Sequence, residues 1–132
     1  MTALNTTRTD SLLRLAMRAD AVLTGLAGLA ALPIAGWIAE LCGTTTAIEY
    51  SMAAFFIGYG VVVFGLAALP SVRRAGLVVI AANILYTLAA VAVVASDVWT
   101  MTVAGVVVTL ATGVYTAGFA VAQYIGWRRL SR

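Results

Sequence analysis

The sequence predicts an all-α polytopic membrane protein: an antiparallel four-helix transmembrane bundle with a short interfacial helix after the first span. Three observations carry this expectation. Of 132 residues, 63% are hydrophobic and only 10% charged, with a mean hydropathy of +1.04, whereas a soluble domain covers its surface with roughly 25% charged residues. Four stretches, 21–39, 50–72, 75–96 and 98–127, carry no charge at all, and a helix of about 20 apolar residues crosses a ~30 Å hydrocarbon core. Every basic residue is an arginine, and a four-span arrangement puts all of them on one side.

The first span is expected over about 12–32. Asp10 or Ser11 suits a helix cap, and Leu12, Leu15, Ala16 and Ala19 follow at i, i+3, i+4 and i+7. Arg14 and Arg18 leave from another face, as arginines do when they snorkel to headgroups. One continuous helix starting near Ser11 is preferred to a separate amphipathic helix on the inner leaflet. The length of the run, and the helix-length run that follows with opposite flanking charge, favour retention in the membrane over cleavage as a signal peptide.

Pro33 lacks the donor that its turn requires and ends or kinks this helix. Beyond it Ile34, Trp37, Ile38 and Leu41 share a face with Glu40 on the other side. That pattern reads as a short helix in the outer interface, anchored by Trp37. Cys42 to Thr46 then form an external turn, with Thr45 or Thr46 capping the next span. Cys42 is the single cysteine, which excludes an intramolecular disulfide and a cysteine-based metal cluster. The acid and the bulky residue before it, Glu40 and Leu41, do not fit a lipidation signal.

The second span runs over about 48–69 and stops before Pro70, the third over 75–96, and the fourth over 100–127. The connections 70–74 and 97–99 are short, so consecutive spans should be antiparallel neighbours. Trp99 at one end, with Tyr124 and Trp127 at the other, are the expected interfacial aromatics. Arg8, Arg14 and Arg18 precede span one, Arg73 and Arg74 join spans two and three, and Arg128, Arg129 and Arg132 close the chain. Glu40, Glu49 and Asp97 occupy the remaining connections. By the positive-inside rule both termini face the cytoplasm, in a cytoplasmic (inner) membrane. The basic residues form no single face of the kind that nucleic acid requires, so nucleic acid is excluded as a partner.

Two sets of residues are candidates for function. Small residues permit close helix approach in lipid, and span four carries Gly105, Thr109, Gly113 and Ala117 at four-residue spacing, widened by Thr112, Thr116 and Ala120. Span one adds Ala21, Gly25 and Gly28, and span two Ala54, Gly58 and Gly65. These serve packing within the bundle or contact with a second copy or another membrane protein. Polar groups inside lipid are the other set, because each is costly unless paired. Asp20, Asn83 and Gln123 form either a polar cluster opening toward the cytoplasm, with Asp20 as a proton or cation site, or interhelical hydrogen-bond glue. Asp20 paired with Arg14 or Arg18 would be inert. Asn83 should face the bundle interior and bond to Gln123, Asp20 or a span-four threonine, with depth favouring Thr112 or Thr116. Tyr59, Tyr86, Thr87 and Tyr115 add hydroxyls at intermediate depths.

The chain has no histidine and no lysine, and its carboxylates are scattered over both membrane faces, which argues against acid–base or Schiff-base catalysis. Metal and haem ligation lack ligands, and no cofactor is expected. The segments LLRLAMRADAVLTGLAGL, AANILYTLAAVAVV and AVAQYIGWRR resemble a family of short, uncharacterised four-span integral membrane proteins common in actinobacteria and other bacteria. The resemblance implies the four-helix membrane fold and carries no activity. Small multidrug pumps have similar size, but their transport depends on a glutamate in the first span, and none lies between Ala21 and Ala39. The leading expectation is a non-enzymatic accessory subunit or helix-packing scaffold, its partners the lipid bilayer and other membrane proteins or itself. The alternative is a small carrier or binder of a lipophilic or cationic molecule. An apolar cavity in the bundle at Asp20 would favour the second.

Overall fold

The computed structural model describes residues 2–130, and the side chains of residues 9–130. Arg132 and the side chain of Arg8, both counted in the charge pattern, lie outside the described residues. Within them the chain is all-helical: α1 (Thr2–Ala31), a 3-10 turn (Leu32–Ile34), α2 (Ala35–Cys42), α3 (Thr46–Leu66), α4 (Arg73–Ser96) and α5 (Val103–Arg128). Thr9–Cys42, Thr46–Leu66, Arg73–Ser96 and Val103–Arg128 are each long and apolar enough to cross a bilayer. By length and composition this is a multi-pass membrane protein.

The helix ends are set by side chains that reach across the bundle. α1 begins at Thr2, well before the suggested caps. Asp10 lies inside it and so does not cap it; its Oδ2 pairs with Arg14 at 3.0 Å one turn further on. Arg14 in turn shortens α3, which ends at Leu66 rather than near Leu69. The Arg14 Nη1 donates to the carbonyls of Ala67 at 2.9 Å and Leu69 at 2.6 Å, and its Nη2 to that of Pro70 at 2.9 Å. Carbonyls at a helix end lack intrahelical partners, and a guanidinium presents several donors in a fixed fork. Arg14 therefore does not snorkel, while Arg18 is exposed.

At the opposite end, Thr45 accepts a hydrogen bond from the Ile48 amide at 3.2 Å and starts α3. Asp97 closes α4 in the left-handed conformation, at φ 53°. α5 starts at Val103, not near Thr100, because Thr102 caps it. The Thr102 hydroxyl accepts from the Gly105 amide at 3.1 Å and donates to the Leu41 carbonyl at 2.6 Å, and its amide donates to the Cys42 carbonyl at 3.0 Å. This junction buries Cys42, expected in an open external turn.

α1 packs along α3, α4 packs along α5, and the two pairs meet mainly through α1 and α5. The α1–α3 crossing is close: a Cβ on Gly60 would lie 2.7 Å from the Ala21 carbonyl, and one on Gly28 2.6 Å from that of Ala53. The span-one stripe thus packs within the bundle. The span-two set does not: Ala54 is exposed, and nothing lies within 4 Å of a Cβ on Gly58 or Gly65. The inward face of α3 is Ala53, Gly60 and Val63 instead, continued by Ala67 just past its end. On α5, Gly105 and Gly113 are buried and Thr109 and Ala117 partly so, but the buried seam continues through Thr116, Ala120 and Gln123. A four-residue step overshoots a 3.6-residue turn by about 40°, so three steps carry the stripe roughly a third of the way round the helix.

Consecutive α3 and α4, expected to be neighbours, keep their backbones further apart than the other packed pairs and meet through large side chains. Bulk explains this: Phe55 and Phe56 of α3 face Tyr86 of α4, with ring centroids 6.4 and 6.1 Å apart. Where the other pairs carry glycine and alanine, this pair carries rings. Toward the arginine end the interior closes with Leu13, Met17, Val72 and Val79, all buried in one cluster, and Trp127 Nε1 donates to the Arg73 carbonyl at 3.1 Å.

Candidate functional site

Asp20, Asn83 and Gln123 meet inside the bundle. Asp20 and Gln123 are 0% exposed and Asn83 2%. Asp20 sits six residues beyond Arg14 on α1, ~9 Å along the helix from the arginine end. Its Oδ2 accepts hydrogen bonds from Asn83 Nδ2 at 3.0 Å and from Gln123 Nε2 at 3.0 Å. Asn83 Nδ2 also donates to Gln123 Oε1 at 2.9 Å, closing a triangle.

The partner of Asn83 is therefore Gln123, together with Asp20, and not Thr112 or Thr116. In an α-helix every Cα–Cβ bond tilts toward the N-terminus. Asn83 on α4 leans toward the arginine end and Gln123, on antiparallel α5, leans away from it, so two residues at different depths converge. Thr112 bonds instead to the Tyr86 hydroxyl at 3.1 Å, and Thr116 to Thr87 at 2.7 Å.

Two tyrosines and a threonine complete the site, and the sequence reading did not join them to Asp20. Tyr59 of α3 donates to Asp20 Oδ2 at 2.7 Å. Thr24, one turn beyond Asp20 on α1, donates to Oδ1 at 3.0 Å and lies 2.9 Å from the Tyr115 hydroxyl. A hydroxyl has one proton, so when Thr24 donates to Asp20, Tyr115 donates to Thr24. The Tyr115 oxygen is itself 3.4 Å from Oδ1. Asp20 thus receives donors from α1, α3, α4 and α5. All are neutral and all donate, a set matched to a carboxylate acting only as acceptor. Arg14 is engaged with Asp10 and the α3 terminus, and Arg18 is exposed; neither pairs with Asp20.

The signal for Thr24 was present, since i and i+4 share a helix face. Tyr59 and Tyr115 depend on how α1 registers against α3 and α5, which no local pattern encodes.

The cluster does not open toward the arginine end, where the expectation placed its mouth. Leu13, Met17, Val72 and Val79 seal that side. On the other side lies an apolar cavity of about 430 Å³. Four of the groups that touch Asp20, namely Thr24, Tyr59, Asn83 and Tyr115, form its floor, and Phe55, Phe56 and Tyr86 line its wall at the α3–α4 gap. A second cavity of about 410 Å³ shares Phe55, Phe56, Tyr86, Val108 and Thr112 with the first and extends to Glu49, Thr44 and Trp99 at the acidic end. The Glu49 Oε2 and Thr44 Oγ1 atoms are buried next to one another there. Among the described residues, no three metal-ligating side chains converge. Comparison with known proteins gives no matching family model, curated protein or solved structure.

Proposed function

We propose that this protein is a non-enzymatic binder of a small lipophilic molecule, which it holds inside the membrane in the cavity above Asp20. One observation carries the reading: the cavity is walled mainly by rings and aliphatic side chains, the hydroxyls of Tyr86, Thr112 and Thr116 on its wall are bonded within the bundle, and its floor is formed by groups that touch Asp20. Ligand sites in proteins share this composition, an apolar enclosure with a few placed polar groups. Phe55 on the cavity wall is itself exposed at the surface of the bundle, which sets the cavity beside lipid. The lack of histidine and lysine, and the engagement of Asp20 by neutral donors, favour holding over chemistry.

The accessory-subunit reading draws less support. Much of the span-four stripe that motivated it is spent inside the bundle, with Gly113 against Ala90 and Thr87 and Gly105 against the end of α2.

The arginines favour an orientation with both termini in the cytoplasm of an inner-membrane protein. The cavity then faces the outer half of the bilayer.

The test is equilibrium binding of a lipophilic fluorophore such as Nile red to the full chain in nanodiscs, with empty nanodiscs as reference. Ala82, partly buried on the cavity wall, is replaced in the comparison protein by tryptophan, which fills the space. Saturable binding by the natural chain, lost in a folded Ala82→Trp variant, is the expected result. Equal binding by both, or none above the empty nanodiscs, overturns the proposal.

A further inference from the structure

The charge around the cavities narrows the ligand class. Asp20 lies directly beneath the floor of the inner cavity, and its bonded partners are all uncharged. Glu49 stands at the far end of the outer cavity, with one carboxylate oxygen buried beside the Thr44 hydroxyl. Among the described residues, no arginine lines either cavity. The two cavities share a wall of Phe55, Phe56 and Tyr86, and Tyr59 and Tyr115 face the inner one. The cleft therefore runs between two carboxylates along a wall of aromatic rings, with the described basic residues gathered at the arginine end beyond the Leu13–Met17 seal.

We infer that the ligand is a hydrophobic organic cation, with its positive centre held over the ring faces within one side-chain layer of Asp20. The inference rests on the cavity being a binding site, and adds the charge of what it binds. Aromatic faces attract cations through the ring quadrupole, more strongly when water is excluded. A carboxylate surrounded by neutral donors keeps its charge uncompensated, and in a medium of effective dielectric about 20 its field is felt across one layer of side chains. An anion of the same size meets the same field with the opposite sign, and the cleft offers it no basic partner. A neutral lipophile gains only the apolar contact.

The experiment separates charge from lipophilicity with two ions of matched shape. Tetraphenylphosphonium and tetraphenylborate are each equilibrated with the full chain in zwitterionic nanodiscs, and binding is read as the excess over empty nanodiscs, which removes their unequal partition into lipid. The expected result is phosphonium bound at least about tenfold more tightly than borate, with the preference reduced in Asp20→Asn and, less, in Glu49→Gln. Equal binding of the two ions, or a preference unchanged in a folded Asp20→Asn variant, overturns the cation assignment and leaves lipophilic binding standing. Absence of both ions, together with absence of Nile red, overturns the binding site itself. Should Asp20→Asn not fold, the phosphonium-to-borate ratio of the natural chain and its change in Glu49→Gln decide the matter.

Discussion

Asn83→Leu tests whether the polar cluster holds the bundle together. Asn83 donates two hydrogen bonds, to Asp20 at 3.0 Å and Gln123 at 2.9 Å. Hydrogen bonds between membrane helices average about 0.6 kcal/mol and reach about 1.7 kcal/mol. Loss of the second bond also leaves Gln123 Oε1 buried without this donor, a penalty of roughly 1–3 kcal/mol where no other partner is found. The single substitution should therefore cost about 2 kcal/mol. Gln123→Leu should cost a similar amount, since it removes the bond to Asp20 and strands one Asn83 proton. The pair is more informative than either alone. Summing the singles counts the Asn83–Gln123 bond twice, so the double variant should be about 1 kcal/mol more stable than the sum predicts, within the range that contacting residues show in such cycles. Reversible unfolding in mixed micelles, titrated with SDS and followed by circular dichroism, reads all four proteins. Additivity to within about 0.3 kcal/mol would refute the coupling, and an Asn83→Leu variant as stable as the natural chain would refute the role of the cluster in stability.

Three further outcomes follow from the fold. Arg14→Gln should lower stability by about 1–2 kcal/mol, because three carbonyls at the end of α3 lose a charged donor; thermal unfolding in detergent that matches the natural chain would show those carbonyls to be satisfied by water. Gly60→Val should separate α1 from α3 and lose the monodisperse peak in size-exclusion chromatography, whereas Gly58→Ala, with nothing within 4 Å of its Cβ, should keep it; equal behaviour of the two would show the crossing to be less close than the structure places it. Orientation is read by thiol labelling in intact cells on a Cys42→Ser background. Val98→Cys, exposed just past the acidic end of α4, should react with an impermeant maleimide, and Ser71→Cys, exposed at the arginine end, should not. Val98 is preferred to Asp97, whose positive φ strains a cysteine. The reverse labelling pattern would invert the protein in the membrane.

The helices were legible because the apolar runs are long and the arginines punctuate them. The spacing of the α5 stripe was legible only near its start, since a fixed four-residue step drifts off a 3.6-residue helix before Ala117. Which face of α3 meets α1 was not legible, because glycine and alanine occur on two of its faces and composition alone does not choose between them. Asp20, Asn83 and Gln123 stood out as polar groups in apolar runs. Their convergence depends on three interhelical registers, and these are fixed by contacts such as Gly60 on Ala21 and Arg14 on Ala67, each more than 35 residues apart in sequence. The α3–α4 gap was hidden for a related reason: a short connection implies adjacency, and only the bulk of Phe55, Phe56 and Tyr86 on facing sides keeps the helices from closing.

Stability alone is a poor reason for a chain to bury Asp20. Removing a carboxylate from water is costly, and well-packed apolar residues in place of buried charge are often neutral or stabilising. Apolar residues at positions 20, 59, 83 and 123 would join the same four helices without desolvating a charge. The gap beside it works against stability in the same way, because Phe55, Phe56 and Tyr86 leave a cavity of about 430 Å³ where the other helix pairs close on glycine and alanine, and empty volume forfeits dispersion contacts. The two features adjoin, the donors of Asp20 being the floor of the cavity. Each is unfavourable on its own, and a bound molecule of the proposed class, a hydrophobic cation, would offset both by supplying contacts and an opposite charge. Occupancy should therefore stabilise the fold in proportion to the logarithm of ligand concentration above its Kd, and the hydrophobic cation that binds most tightly should be the one that most raises the melting temperature.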